Sequence, residues 1–152
     1  ANGKPGAITV GLPWACQKPD ERTKELDAVL RALKSTWNPI PSESNKADIA
    51  KAYSKLRSTL ERVVEAIIYN GAIERFNPYI DLKRLKFRVD FEETEEIELN
   101  RLFKKCCDVT DAHDKPTAAQ MATPKPEDFE QDLKDTKSLI QALKGKKRNS
   151  TK

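Results

Sequence analysis

Three residues of this chain could do chemistry together. Arg57 and Glu61 stand four apart in the longest helix-like stretch, and His113 is the one histidine among 152 residues. Arginine can clamp a phosphate, histidine can move a proton near neutral pH, and a carboxylate can orient either. Attack of a ribose 2′-OH on the adjacent phosphate needs little more, and needs no metal. In such a reaction His113 would take the 2′ proton or protonate the leaving 5′ oxygen. Arg57 would hold the phosphate oxygens where charge builds, and Glu61 would steady Arg57 or share the proton transfer. The product would carry a 2′,3′-cyclic phosphate, and DNA, lacking the 2′-OH, would be inert. A surface i,i+4 ion pair beside an unrelated loop histidine would be spelled the same way.

The elements that must position these residues read mostly as helices. Asp20 to Lys34, with Asp20 as N-cap, carries Leu26, Val29, Leu30 and Leu33 as an apolar stripe. The main helix is expected over Lys46 to Asn70, capped by Ser44 or Asn45, with Asp48 suiting its positive end. Its stripe is Ile49, Tyr53, Leu56, Leu60, Val63, Val64 and Ile67, and Asn70–Gly71 is a stop signal. Arg57 and Glu61 fall on the flank of that stripe and should be half covered. A short helical piece is expected over Ala72–Phe76, and Tyr79–Phe87 reads as helix or irregular chain. A further helix begins in the acidic run Asp90–Glu98 and ends near Cys107. Residues 108–126 read as a long loop holding His113. A last helix runs from Glu127 to Lys144 and stops at Gly145. The fold class expected is all-α, a bundle of about four to five helices, with one stray N-terminal β-strand around Ala7–Val10.

Composition narrows the function classes. The charged fraction is 34% and the formal net charge is +4, which permits nucleic-acid binding without demanding it. Lys83, Arg84, Lys86 and Arg88 could steer an RNA backbone, or could be a solvated face balancing the acidic run that follows. Tyr53 and Tyr79 could stack a base, with core packing the stronger reading for Tyr53. Cys16, Cys106 and Cys107 form neither a disulfide framework nor a zinc spacing, so no metal is expected. No P-loop motif is present. No secretory leader and no membrane-spanning stretch is legible, so a cytoplasmic location without a membrane partner is expected. The first residue is Ala1 instead of Met, which points to a fragment or a processed chain.

The stretch Tyr53–Leu85 (YSKLRSTLERVVEAIIYNGAIERFNPYIDLKRL), the Cys107–His113 segment and the final acidic helix together resemble the C-terminal region of a family of SMC-like AAA ATPases of bacterial defence. That family includes the anticodon nucleases PrrC and RloC. The specific part of the likeness is the Leu-Arg, Glu-Arg, Asn-Gly-x-x-Glu-Arg-Phe pattern. The resemblance implies residues 1–14 as the exit strand of a P-loop ATPase domain and residues 15–145 as a helical domain of the HEPN type; residues 146–152, from their lysines and arginine, read as a basic disordered tail. It implies Arg57, Glu61 and His113 as the catalytic set of a metal-independent endoribonuclease acting on RNA, with tRNA as the expected substrate. ATP and Mg would belong to the ATPase domain and no cofactor to this chain; a homodimer is a further expected assembly. Many HEPN nucleases place an arginine close before the histidine in one motif; here the nearest is Arg101. Two alternatives stand beside the nuclease: a non-catalytic helical assembly or coupling domain of the same ATPase family, and an unrelated helical binding module.

Overall fold

The computed structural model describes residues 12–75, 77–114 and 122–150, without the side chains of residues 113, 114 and 147–150. The expected N-terminal strand lies outside the described residues. Five α-helices follow one another: α1 (Pro19–Thr36), α2 (Glu43–Val63), the single turn α3 (Leu82–Leu85), α4 (Glu93–Asp114) and α5 (Pro126–Ser150). The fold is all-α, as the hydrophobic periodicity predicts.

Cross-helix contacts fix the topology. Glu25 meets Lys55, and the carbonyl of Thr36 meets Asn45, so α1 and α2 run antiparallel. Arg57 meets Phe103, while Tyr53 meets Lys105 two residues further along α4, so α2 and α4 also run antiparallel. Glu95 pairs with Lys146 and Arg101 with Asp135, and at the opposite side Lys34 pairs with Glu130 and Asp27 with Lys137. The long helices α1, α2, α4 and α5 therefore form an up-down-up-down four-helix bundle.

The core follows from spacing. Along α2 and the turn that continues it, Ile49, Tyr53, Leu56, Leu60, Val63 and Ile67 alternate steps of four and three, and all are buried. Phe129, Leu133, Thr136, Ile140 and Leu143 repeat that rhythm on α5, and Leu102, Cys106 and Val109 on α4. At the centre Tyr53 and Phe129 meet edge to face, ring centroids 5.2 Å apart, a contact worth about 0.5–1.5 kcal/mol beyond area burial.

Several helix ends differ from expectation, each for a local reason. α1 begins at Pro19 with Lys18 as N-cap, because proline suits the first helical position and Glu21 bonds back to the Lys18 N–H. α2 is capped by Ser42 instead of Ser44 or Asn45; the Ser42 hydroxyl accepts from Asn45 N–H while Asn45 Oδ1 accepts from Ser42 N–H. The chain after Gly71 forms turns, not a helix, up to Arg75. α4 runs seven residues past Cys107, so the segment 108–114 expected as loop is helical. α5 passes through Gly145 to Ser150, so the basic segment expected as a tail begins as helix. Lys146 there pairs with Glu92 and Glu95. Trp14, assigned to the exit strand, lies in a 3₁₀ turn (Trp14–Cys16) packed on the bundle, its indole N–H donating to Ser58 Oγ at 3.1 Å.

The stop at Asn70–Gly71 is as expected. Beyond Val63 the helix widens into a π segment, Val64–Ile68, in which Tyr69 N–H reaches Val64 O. Asn70 (φ 53°) and Gly71 (φ 74°) then both adopt the left-handed conformation, and Gly71 N–H closes back on Glu65 O.

Candidate functional site

Arg57 and Glu61 do share one face of α2, but they do not pair. The Arg57 guanidinium is exposed, not half covered, and lies 5.7 Å from the Phe103 ring centroid across on α4. Glu61 is half-buried and pairs with Arg75 at 3.1 Å. Each has found a better partner than its i+4 neighbour: an aromatic face for one, a guanidinium carried in by the α2–α4 connection for the other.

His113 occupies the last turn of α4 instead of a loop, and its side chain lies outside the described residues. Its backbone is ten residues beyond Phe103, which at the α-helical rise is about 15 Å along the axis. Because α2 and α4 are antiparallel, that displacement leads away from Glu61. The fold thus brings Arg57 to Phe103 and Glu61 to Arg75, with no ion pair between Arg57 and Glu61.

What gathers around Glu61 is a clasp that sequence reading left without a role. Arg62, next on α2, pairs with Glu74 at 3.6 Å. One turn on, the Glu65 carboxylate accepts the backbone N–H of Arg75. Glu61–Arg62 and Glu74–Arg75 are therefore complementary dipeptides, facing each other across the Asn70–Gly71 reversal. The signal was present in the Glu-Arg, Asn-Gly, Glu-Arg pattern itself: two opposite-charge pairs flanking a left-handed turn can close on one another. The pairs are partly exposed and worth about 0–1 kcal/mol each; their effect is to fix where the connection leaves the bundle.

The connection beyond carries the four basic residues. Lys83, Arg84, Lys86 and Arg88 are all exposed. Arg84 pairs with Asp81 at 3.4 Å, and Lys86 lies over the Phe87 ring. Tyr79 is 79% exposed, whereas Tyr53 is fully buried and unavailable to a base. Beside the clasp an apolar groove of about 720 Å³ opens between α2, Ile73 and α4, with Val64, Leu99 and Phe103 among its walls.

The buried polar chemistry lies elsewhere, and sequence periodicity did not reveal it. Tyr53 Oη donates to Asp132 Oδ2 at 2.6 Å, Lys105 donates to the same oxygen at 3.1 Å, and Arg101 reaches Oδ1 at 3.4 Å. Burial, followed by the Asp132 hydrogen bond and charge, raises the Tyr53 hydroxyl far above its ordinary value. Burial with Asp132 nearby also pushes the Cys106 thiol up to about 12. Neither group is poised to titrate near neutrality, so the network links α2, α4 and α5 structurally. No cluster of metal-ligating side chains occurs among the described residues, nor is any described helix long and apolar enough to cross a membrane.

No protein-family model matches the chain, and no curated protein or solved structure matches it.

Proposed function

We propose that this chain is a non-catalytic helical domain that partners a P-loop ATPase domain in assembly or coupling, and docks through the α2–α4 connection. The observation that carries this reading is the placement of exposed apolar side chains. Among the described residues, every exposed large hydrophobic except Leu12 and Ile40 lies between Tyr69 and Ile97. Tyr79, Ile80, Leu82 and Ile97 are 79, 58, 72 and 62% exposed, a concentration expected of an interface and not of a solvated loop. The clasp holds this stretch in place, and the apolar groove lies beside it. The occupant is chosen from the resemblance in segment order, in which such a helical region follows a P-loop domain that would supply ATP and Mg binding. The separate engagement of Arg57 and Glu61 favours docking over RNA cleavage.

The test is a calorimetric titration of the chain against a P-loop ATPase domain of the resembled family. Ile80→Asp combined with Leu82→Asp should weaken binding at least tenfold, about 1.4 kcal/mol. Equal binding by the double variant would remove this face from the proposal. Self-association in sedimentation, lost in that variant, would assign the face to a second copy. Cleavage of tRNA in EDTA, abolished by both Arg57→Ala and His113→Ala, would replace the reading with the nuclease.

A further inference from the structure

The geometry points to an oxyanion site, for a phosphate group, in the cleft where Arg22, Arg62 and Arg75 converge between α1, α2 and the clasp. The cleft has a volume of about 290 Å³, with Trp14 on one wall. Arg22 is the unusual member. It is 6% exposed, yet no carboxylate lies within ion-pair reach of it among the described residues. Its Nη1 donates to Ser58 O at 2.8 Å and its Nη2 to Ala15 O at 3.5 Å, and its guanidinium carbon sits 4.8 Å from the Trp14 ring centroid. A buried charge is ordinarily paired, because a guanidinium stays protonated wherever it is placed.

The charges around the cleft balance in number but not in pairing. Arg62 has Glu74 and Arg75 has Glu61, while Glu65, also on the wall, bonds the Arg75 backbone. Arg22 is left over. The Nε–H groups of both Arg22 and Arg62 are buried without an acceptor. Burial and the nearby Arg62 charge lower the pKa of Arg22, with Arg75 adding to the effect and Glu65 and Glu61 opposing it. The three guanidiniums border a cavity wide enough for a tetrahedral oxyanion, and their planar forks match the bidentate geometry of phosphate. Glu65, Glu74 and Arg75 line both this cleft and the apolar groove, whereas Trp14 lines the cleft and not the groove, so phosphate binding is read at Trp14.

The probe is inorganic phosphate added to the whole chain at constant ionic strength, with chloride as the control. Trp14 fluorescence reports occupancy in a Trp37→Phe background, since the chain has two tryptophans. Phosphate should shift the Trp14 signal saturably and raise the melting temperature, where chloride does neither. Arg22→Gln should weaken phosphate at least tenfold. Glu65→Gln, which keeps an acceptor for the Arg75 N–H but removes a negative charge from the wall, should tighten it several-fold; this second variant decides the matter should Arg22→Gln fail to fold. A response to phosphate no larger than to chloride, or an affinity unmoved by Glu65→Gln, overturns the site. Displacement of phosphate by adenosine monophosphate, by a short single-stranded RNA, or by neither distinguishes a nucleotide, a nucleic-acid backbone and free phosphate as the source.

Discussion

Asp132 is where single residues matter most. It is 4% exposed, and its carboxylate takes bonds from Tyr53, Lys105 and Arg101. Tyr53→Phe removes one charge-assisted bond but leaves the carboxylate two cationic partners. The expected cost is therefore at the lower end of roughly 1.5–3 kcal/mol, read from the urea midpoint. Cys106 gives a pH prediction. Its folded thiol holds its proton to about 12, against 9.0 ordinarily, because burial disfavours the thiolate. The unfolded chain loses that proton first, so this contribution to stability is complete below pH 9 and declines as pH rises toward 12. Cys106→Ala should flatten the fall in stability across that window relative to the unsubstituted chain. At pH 8 a thiol reagent should label exposed Cys16 and spare Cys106 until the protein unfolds.

Two glycines separate the elements that stop from those that continue. Gly71 has φ 74°, and a Cβ there would meet Arg84 Nη1 at 3.0 Å. Gly71→Ala should cost about 1–2 kcal/mol from the left-handed backbone alone, lowering the melting temperature and loosening the α2–α4 connection. Gly145 lies inside α5, with nothing within 4 Å of where a Cβ would be. Gly145→Ala should stabilise by roughly 0.5–1 kcal/mol. Destabilisation by that substitution would restore the helix stop that glycine suggests in the sequence. The α2 cap offers a third test: Ser42→Ala should cost about 0.5–2 kcal/mol, while Ser44→Ala should be near neutral in the same thermal melt.

For the whole molecule, the question is whether a four-helix bundle with separately engaged Arg57 and Glu61 acts by contact or by catalysis. Docking predicts that Ile80→Asp with Leu82→Asp leaves the fold intact, since both side chains are exposed, while binding to an ATPase domain falls. It also predicts no 2′,3′-cyclic phosphate ends when tRNA is incubated with the folded chain in EDTA. Far-UV circular dichroism checks the first statement and end-group analysis the second.

Helix existence, the all-α class and the core stripe were legible along the chain because periodic burial is a local pattern that any helix of this length must obey. Leu26, Leu56, Leu60 and Phe129 are core residues as their spacing required. The Asn70–Gly71 stop was equally legible, since left-handed backbone has its own residue preferences. The run of α4 through Asp114 and of α5 through Gly145 was not, because packing against neighbouring helices outweighs a weak local stop. Least legible were the partners of charged side chains. An i,i+4 arginine and glutamate look paired in one dimension; only tertiary structure could send Arg57 to Phe103, Glu61 to Arg75, and leave Arg22 buried against backbone carbonyls with no carboxylate partner of its own among the described residues. Long-range pairing is a competition among all charges that the fold brings near, and a single helix contains only some of the competitors.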